Sequence, residues 1–332
     1  MPLSESMPPG SGRRPTIYDI AARLQISPST VSRALGQPGK ISAATEAKVR
    51  AVADELGFKP NPLARALPTG RTGMYGLILP DITNPVHFEL TRGVERVARE
   101  GGYRLLIAET QTSGENEAEV VARIRSAVDG IVLVASRLKD QRLADIAAVT
   151  PTVGANMLSA AIPTVLPEIS GGLTNALDHL KALGHRTIGY VGGPAGPIDS
   201  ARWSLLLEHA LARGMSIHEF STGGASLEAG AAALPRVLAG GVTAVLTYND
   251  LIAHGILQGC RAEGVDVPGH LSVIGFDDIF TAALVNPGLT TVRVPLADIG
   301  ESAMRLLICR QEVSLELVTQ LIVRESTGPA QV

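Results

Sequence analysis

The sequence predicts a small all-α head of helix-turn-helix form, followed by a larger α/β body built on parallel sheets. Three observations carry that reading. Residues 16–35 hold two short apolar periods of helical spacing on either side of a four-residue turn. From Met74 onward, strand-like apolar runs alternate with helical ones, the pattern of parallel sheets covered by helices. The charge is also divided. The 332 residues carry 29 Lys and Arg against 32 Asp and Glu, yet residues 1–72 hold ten basic and five acidic side chains. A basic head on an acidic body suits a module that meets phosphate while the body stays clear of it.

In the head, Ile17, Ile20, Ala21 and Leu24 share one helix face, and Val31, Ala34 and Leu35 share another. Between them Gln25-Ile26-Ser27-Pro28 has room only for a tight turn. Ser27 then Pro28 is a helix start: a hydroxyl cap, followed by a proline whose missing N–H costs nothing there. The second helix exposes Ser29, Thr30, Ser32 and Arg33. Periodicity alone fits a plain helical hairpin as well as a pair whose second helix enters a DNA major groove. A third helix is expected over residues 42–56, capped by Ser42 and ended by Gly57, with Val49, Val52, Ala53 and Leu56 facing Ile20, Leu24, Val31 and Leu35. Next, Asn61-Pro62-Leu63-Ala64-Arg65-Ala66-Leu67-Pro68 reads as a very short helix between two prolines, marginal alone in water. A proline-bounded linker is the plainer reading.

The leader, residues 1–14, is polar and rich in Pro, Gly and Ser, and reads as disordered. It has no apolar signal core. Cys260 and Cys309 lie far apart without metal or redox spacing, which fits buried, reduced thiols in a cytoplasm. No apolar run approaches the ~20 residues that span a bilayer. Strands are expected at 75–79, 104–108, 130–134, 152–155, 187–191, 244–247 and 271–276, and helices at 88–100, 115–127, 173–183, 204–213 and 252–263. That is too many strands for one compact sheet.

Residues 16–35 (TIYDIAARLQISPSTVSRAL) and 40–67 (KISAATEAKVRAVADELGFKPNPLARAL) resemble the DNA-binding segment of the lactose-repressor, or LacI/GalR, family of bacterial transcription regulators. The likeness continues through GLILPDITNP, VDGIVLV, ALGHRTIGYVGGP, TYND, VIGFDD and LTTVRVP, in order and spacing. It implies a periplasmic-binding-protein-like core of two parallel-sheet subdomains with a ligand cleft between them. The implied domains are a head at 15–60, a hinge at 61–72 and a core at 73–332. Within that core the N-subdomain takes about 73–165 plus 292–317, and the C-subdomain about 166–291 plus 318–328. It also implies a homodimer, base reading by Pro28 and Ser29, phosphate contacts from Ser27, Thr30 and Ser32, and DNA contacts at Tyr18, Asn61 and Ala64. Leu67 would wedge into the minor groove. Pro68 departs from the family pattern there. Pro28 has no donor and offers only apolar contact. Arg33 is the one recognition-helix side chain able to bond guanine bidentately, or else it meets phosphate, as Lys40 is placed to do.

For a ligand, three candidates lie beyond strand ends, where open α/β sheets bind small molecules. They are Arg202, Asn249 and Asp277, a guanidinium, an amide and a carboxylate suited to a sugar's hydroxyls. The same positions match the family's effector contacts. Asp250 and Asp278 read as structural caps and turns. His87 on the opposite wall either contacts ligand or lies half-exposed at the surface, and Asn156 is a weaker candidate. Trp203 offers a stacking platform, or simple packing. Leu205 stands where the family usually has glycine, which puts the loop and the ligand's identity in doubt.

No nucleophile motif, metal spacing or phosphate loop appears, and no cofactor is expected; GYVGGPAGP lacks the Gly-Lys-Ser/Thr ending. VRESTGPAQV has no leucine heptad for a tetramer. The expectation is a cytoplasmic repressor on a pseudo-palindromic operator, not an enzyme and not membrane-bound. A sugar or related metabolite would control it; the alternative is the same fold under a protein partner or a non-sugar ligand.

Overall fold

The computed structural model describes residues 15–36, 39–58, 71–111 and 113–331. The chain divides into two compact units, with the boundary in the sequence between Gly73 and Met74. The leader with Arg13 and Arg14, and the hinge positions Asn61, Ala64, Leu67 and Pro68, lie outside the described residues.

The head is three helices: α1 (Ile17–Leu24), α2 (Pro28–Gly36) and α3 (Ala43–Glu55). Each start has a local cause. The Asp19 carboxylate accepts from both the N–H and the hydroxyl of Thr16, at 2.6 and 2.7 Å. The Ser27 hydroxyl accepts from the Thr30 N–H at 3.2 Å, and Ser42 from the Thr45 N–H at 3.3 Å. Gln25, left-handed at φ +52°, ends α1 and turns the chain toward α2. Ile20, Ala21, Val31, Ala34, Val49 and Ala53 are buried together, with Leu24, Leu35, Val52 and Leu56 packed against them. This is the core that the apolar spacing called for.

The body holds two six-stranded sheets. The first has β1 (Met74–Leu79), β2 (Arg104–Glu109), β3 (Ile131–Val134), β4 (Thr152–Ala155) and β5 (Thr164–Glu168), with β11 (Leu315–Val318) joining from the C-terminal end. Its order is β11-β5-β4-β3-β1-β2, all parallel. The second has β6 (Thr187–Gly192), β7 (Ser216–Ser221), β8 (Ala244–Thr247), β9 (Ser272–Asp277), β10 (Thr290–Arg293) and β12 (Gln320–Ile322), in the order β12-β10-β9-β8-β6-β7. Only β12 runs antiparallel. β3, β4 and β8 are buried at every residue, as central strands covered on both faces must be.

Between the strands run α4 (Val86–Glu100), α5 (Gly114–Ile124), α6 (Asp140–Ala147), α7 (Ile169–Ala182), α8 (Pro197–Ala212), α9 (Leu227–Ala239), α10 (Asp250–Glu263) and α11 (Leu296–Cys309). Two pairs approach backbone to backbone. A Cβ on Gly93 of α4 would stand 2.0 Å from the Ala297 carbonyl oxygen of α11, and one on Gly255 of α10 the same distance from that of Leu227 in α9. Glycine is what lets these helices touch.

The sequence does not announce β5, β7, β10, β11 or β12. Four of them are edge or near-edge strands with mixed burial (SIHEFS in β7, LELV in β11), so they lack the continuous apolar run that marks a central strand. The chain leaves the first sheet after Glu168, returns after Arg293, and crosses again at Thr319. Each passage falls slightly later than the family likeness implied, because Leu166 to Glu168 still pair with β11, and Val292 and Arg293 with β9.

Candidate nucleic-acid interface and ligand cleft

On the head, Ser27, Ser29, Ser32, Arg33 and Lys40 are exposed, and Tyr18 keeps 66 % of its surface open. The hydroxyls of Ser27, Ser29 and Thr30 form a short chain with 2.8 Å links. Arg23 pairs with Glu55 at 2.5 Å and Arg50 with Glu46 at 2.6 Å. Among the described residues Arg33 and Lys40 join no ion pair. α2 therefore presents small donors, one partly covered proline and an unspent guanidinium on one side.

In the body, Arg202 lies inside α8 rather than at its start, and only 5 % of it is exposed. Its guanidinium carbon stands 3.6 Å from the centre of the Phe276 ring and 4.8 Å from that of Tyr248. One terminal nitrogen donates to the Tyr248 carbonyl. The Nε–H is buried and has no partner. The two rings and the carbonyl fix the fork, leaving a donor aimed at an acceptor the protein does not supply. Asp277 follows Phe276 directly and feels the Arg202 charge, but close packing and the nearby Asp250 carboxylate hold its carboxyl well above the usual range. The first half of α8 and the end of β9 thus bring Arg202 and Asp277 together.

Two cavities open at this place between the sheets. One, about 580 Å³, is lined by Asp277, Phe280 and Arg293 from the second lobe and by Phe88 and Leu296 from the first. Phe88 and Phe280 stack across it with ring centres 6.2 Å apart. The other, about 270 Å³, is lined by Arg202, Ile198 and Leu205 of α8 and by Asn156 and Leu166 of the first lobe. Leu205, in the family's glycine position, therefore takes up cavity space.

The remaining candidates fare differently. Asn156 sits at the end of β4 with φ +53° and borders the smaller cavity. His87 is 5 % exposed, so the half-exposed reading is corrected; burial pushes its imidazole down to about 4 against the opposing pull of Asp81. Asn249 caps α10: its amide oxygen accepts from the Ile252 N–H at 3.0 Å and its nitrogen donates to the Ala225 carbonyl at 3.1 Å. That leaves it one N–H and one lone pair. Trp203 lies flat on Tyr190 with ring centres 6.0 Å apart and lines neither cavity. One face of its ring is therefore taken up by packing. Sequence reasoning passed over Phe276 and Tyr248, although each is the residue directly before a chosen one, in GFDD and TYND. The structural reading of the two aspartates holds. Asp250 accepts from the Ile279 N–H at 2.8 Å and the Thr291 hydroxyl at 2.6 Å, and burial pushes its carboxyl up to about 7. Asp278 is bound by two arginines.

A three-helix head with an exposed recognition helix, carried by a two-lobed body with a buried arginine in its cleft, defines a DNA-binding regulator with a sensory domain. The profile described as "Bacterial regulatory proteins, lacI family" matches residues 16–61, and that of a "Periplasmic binding protein-like domain" matches residues 177–327. The HTH-type transcriptional repressor CytR of Escherichia coli K12 is 32% identical over 94% of this chain and 96% of its own length. The lac repressor dimer bound to operator and the anti-inducer ONPF superposes with a TM-score of 0.86 over 95% of this chain and 100% of its own; at 23% identity it speaks for the fold alone. The transcriptional regulator CelR–cellobiose complex, 28% identical, superposes at 0.69 over 94% of this chain and 100% of its own. The chain belongs to the LacI family and is a transcription regulator, not an enzyme. Among the described residues no helix is long and apolar enough to cross a membrane.

Proposed function

We propose that the protein is a homodimeric, cytoplasmic repressor that binds a pseudo-palindromic operator and responds to a small-molecule effector, a sugar or related metabolite, held between the two lobes. The observation that carries this reading is Arg202: a buried cation, preorganised by Phe276 and Tyr248, with an Nε–H that no protein group satisfies. A hydroxyl oxygen of the effector supplies the acceptor, and Asp277 receives or donates a second bond. His87 and Asn156 approach from the first lobe, while Asn249 acts mainly by holding α10. The relative CelR takes cellobiose in its solved complex, which supports a carbohydrate here.

On DNA, Pro28 and Ser29 meet base edges, Arg33 meets guanine, and Ser27, Thr30, Ser32 and Lys40 meet phosphates with Tyr18. Asn61, Ala64 and Leu67 form the hinge contact, with Leu67 as a minor-groove wedge. Two measurements test the whole. Selection of duplexes from a random pool should return two half-sites related by a dyad; enriched sequences without a dyad would end the dimer reading. A thermal-shift screen of sugars and nucleosides should find a ligand that stabilises the wild type by about 2.7 kcal/mol at a hundred times its dissociation constant. A hit that stabilises Arg202→Met equally would remove Arg202 from the site.

A further inference from the structure

The last residue of β9 and the one after it both have left-handed backbones without being glycine: Asp277 at φ +113° and Asp278 at φ +57°. Such conformations are strained and persist only when their surroundings impose them. The surroundings here are specific. The Asp278 side chain is 6 % exposed, with one carboxylate oxygen 2.6 Å from Arg293 Nε and the other 2.7 Å from an Arg324 terminal nitrogen. The Asp250 carboxylate holds the next residue by the Ile279 N–H. The Asp277 carbonyl accepts from the Val294 N–H at 3.3 Å.

Arg293 stands at a passage between the lobes, and Arg324 lies beyond the far end of β12. Arg293 is the last residue of β10, and Val294 and Pro295 lead straight to α11 in the first lobe. Arg324 comes after β12, which is separated from β11 of the first lobe by Thr319 alone. It is anchored in turn: its N–H donates to the Thr290 hydroxyl at 2.9 Å and its guanidinium to the Leu289 carbonyl at 2.7 Å. β10 and β12 lie side by side, with Arg293 opposite Gln320. The first and third passages are tied as well, because the Thr319 hydroxyl donates to the Glu168 carbonyl at 2.7 Å.

We infer that Asp278 is a positioning residue of the ligand cleft: its carboxylate, clamped between Arg293 and Arg324, holds the turn that aims Asp277 and fixes the second-lobe end of the passage that follows β10. The proposal rests on the cleft being the ligand site. Charge-assisted bonds to two guanidiniums are strong enough to keep a strained turn in place. A group bonding Asp277 then pulls on a segment rigidly joined to the fulcrum, so that ligand occupancy and lobe angle move together.

The test uses the full chain without ligand or DNA, so its failure leaves the ligand-site reading standing. Against the expectation of two buried thiols, Cys309 is exposed, because it is the last residue of α11 in the first lobe, whereas Cys260 is buried. An added Arg261→Cys on the second lobe gives a fluorophore pair, and labelled chain is diluted into excess unlabelled chain so that each assembly holds one labelled copy. Single-molecule transfer should give one narrow interlobe distribution in the parent protein. Asp278→Asn and Arg293→Gln should each broaden it about twofold, and the two together should add nothing further, since they break one clamp. Arg293 is half-exposed, so its variant folds and decides the question if Asp278→Asn does not. An unchanged width in both variants, whatever their melting temperatures, would overturn the proposal. Broadening in Asp278→Asn with no change in Arg293→Gln and Arg324→Gln would overturn the clamp.

Discussion

Replacing Arg202 by methionine separates binding from stability. Methionine keeps much of the stem and its contacts with Phe276 and Tyr248 but removes the charge and every donor. Without ligand, three terms act. Loss of the bond to the Tyr248 carbonyl costs about 1.5–3 kcal/mol, as for bonds to charged groups. Loss of the guanidinium–ring stacking costs about 0.5–2 kcal/mol. Against these, the unpartnered buried Nε–H disappears, which returns about 1–3 kcal/mol, and the cost of burying the cation itself also goes. The terms nearly cancel, so Arg202→Met should melt within about 4 °C of wild type. With ligand the balance changes, because a buried charged partner typically contributes about 2–5 kcal/mol to binding. The variant should therefore bind operator normally and ignore ligand until its concentration rises by at least about thirtyfold. The assay is thermal unfolding of the free protein beside operator titration with the ligand found by screening. Melting lowered by about 10 °C or more, or an unchanged ligand response, would refute the reasoning.

Other outcomes follow from single observations. Arg33→Ala should cost about 1–3 kcal/mol on operator DNA and much less on random duplex; equal losses would assign Arg33 to phosphate. Gly93→Ala and Gly255→Ala should each destabilise by about 1–3 kcal/mol, since the new Cβ meets a carbonyl oxygen at 2.0 Å. Helix propensity alone would give the opposite sign. Gly114→Ala, whose Cβ would meet nothing closer than 3.9 Å, is the control, and chemical denaturation reads all three. His87 is held neutral by burial, with its pKa brought from 6.5 to about 4. The unfolded chain takes up that proton first, so this contribution is complete above pH 6.5 and fades as pH falls toward 4, by up to about 3 kcal/mol. His87→Gln should flatten that part of the stability–pH curve, and a slope unchanged in the variant would exclude His87 as its source.

The sequence alone determined the elements whose causes are local. Ser27-Pro28 and Ser42 start helices because a hydroxyl and a ring do so wherever they stand, and the apolar faces of the head could bury only each other. β1, β3, β4, β8 and β9 were legible because central strands need unbroken apolar runs. The order of motifs then placed Asp277 at the end of β9 and Arg202 in the stretch after β6. Tertiary structure decided what depends on partners distant in the chain. Whether Asn249 faces ligand or caps a helix turned on Ala225 and Ile252. Trp203 was taken by Tyr190, from a different element. β11 and β12 exist as strands because β5 and β10 offer them edges. Asp278 finds Arg293 and Arg324, 15 and 46 residues away, only once β9, β10 and β12 are laid side by side. Local propensity acts within a turn or two of chain. A hydrogen-bond donor spent on one partner is unavailable to another, and only the folded arrangement determines which partner that is.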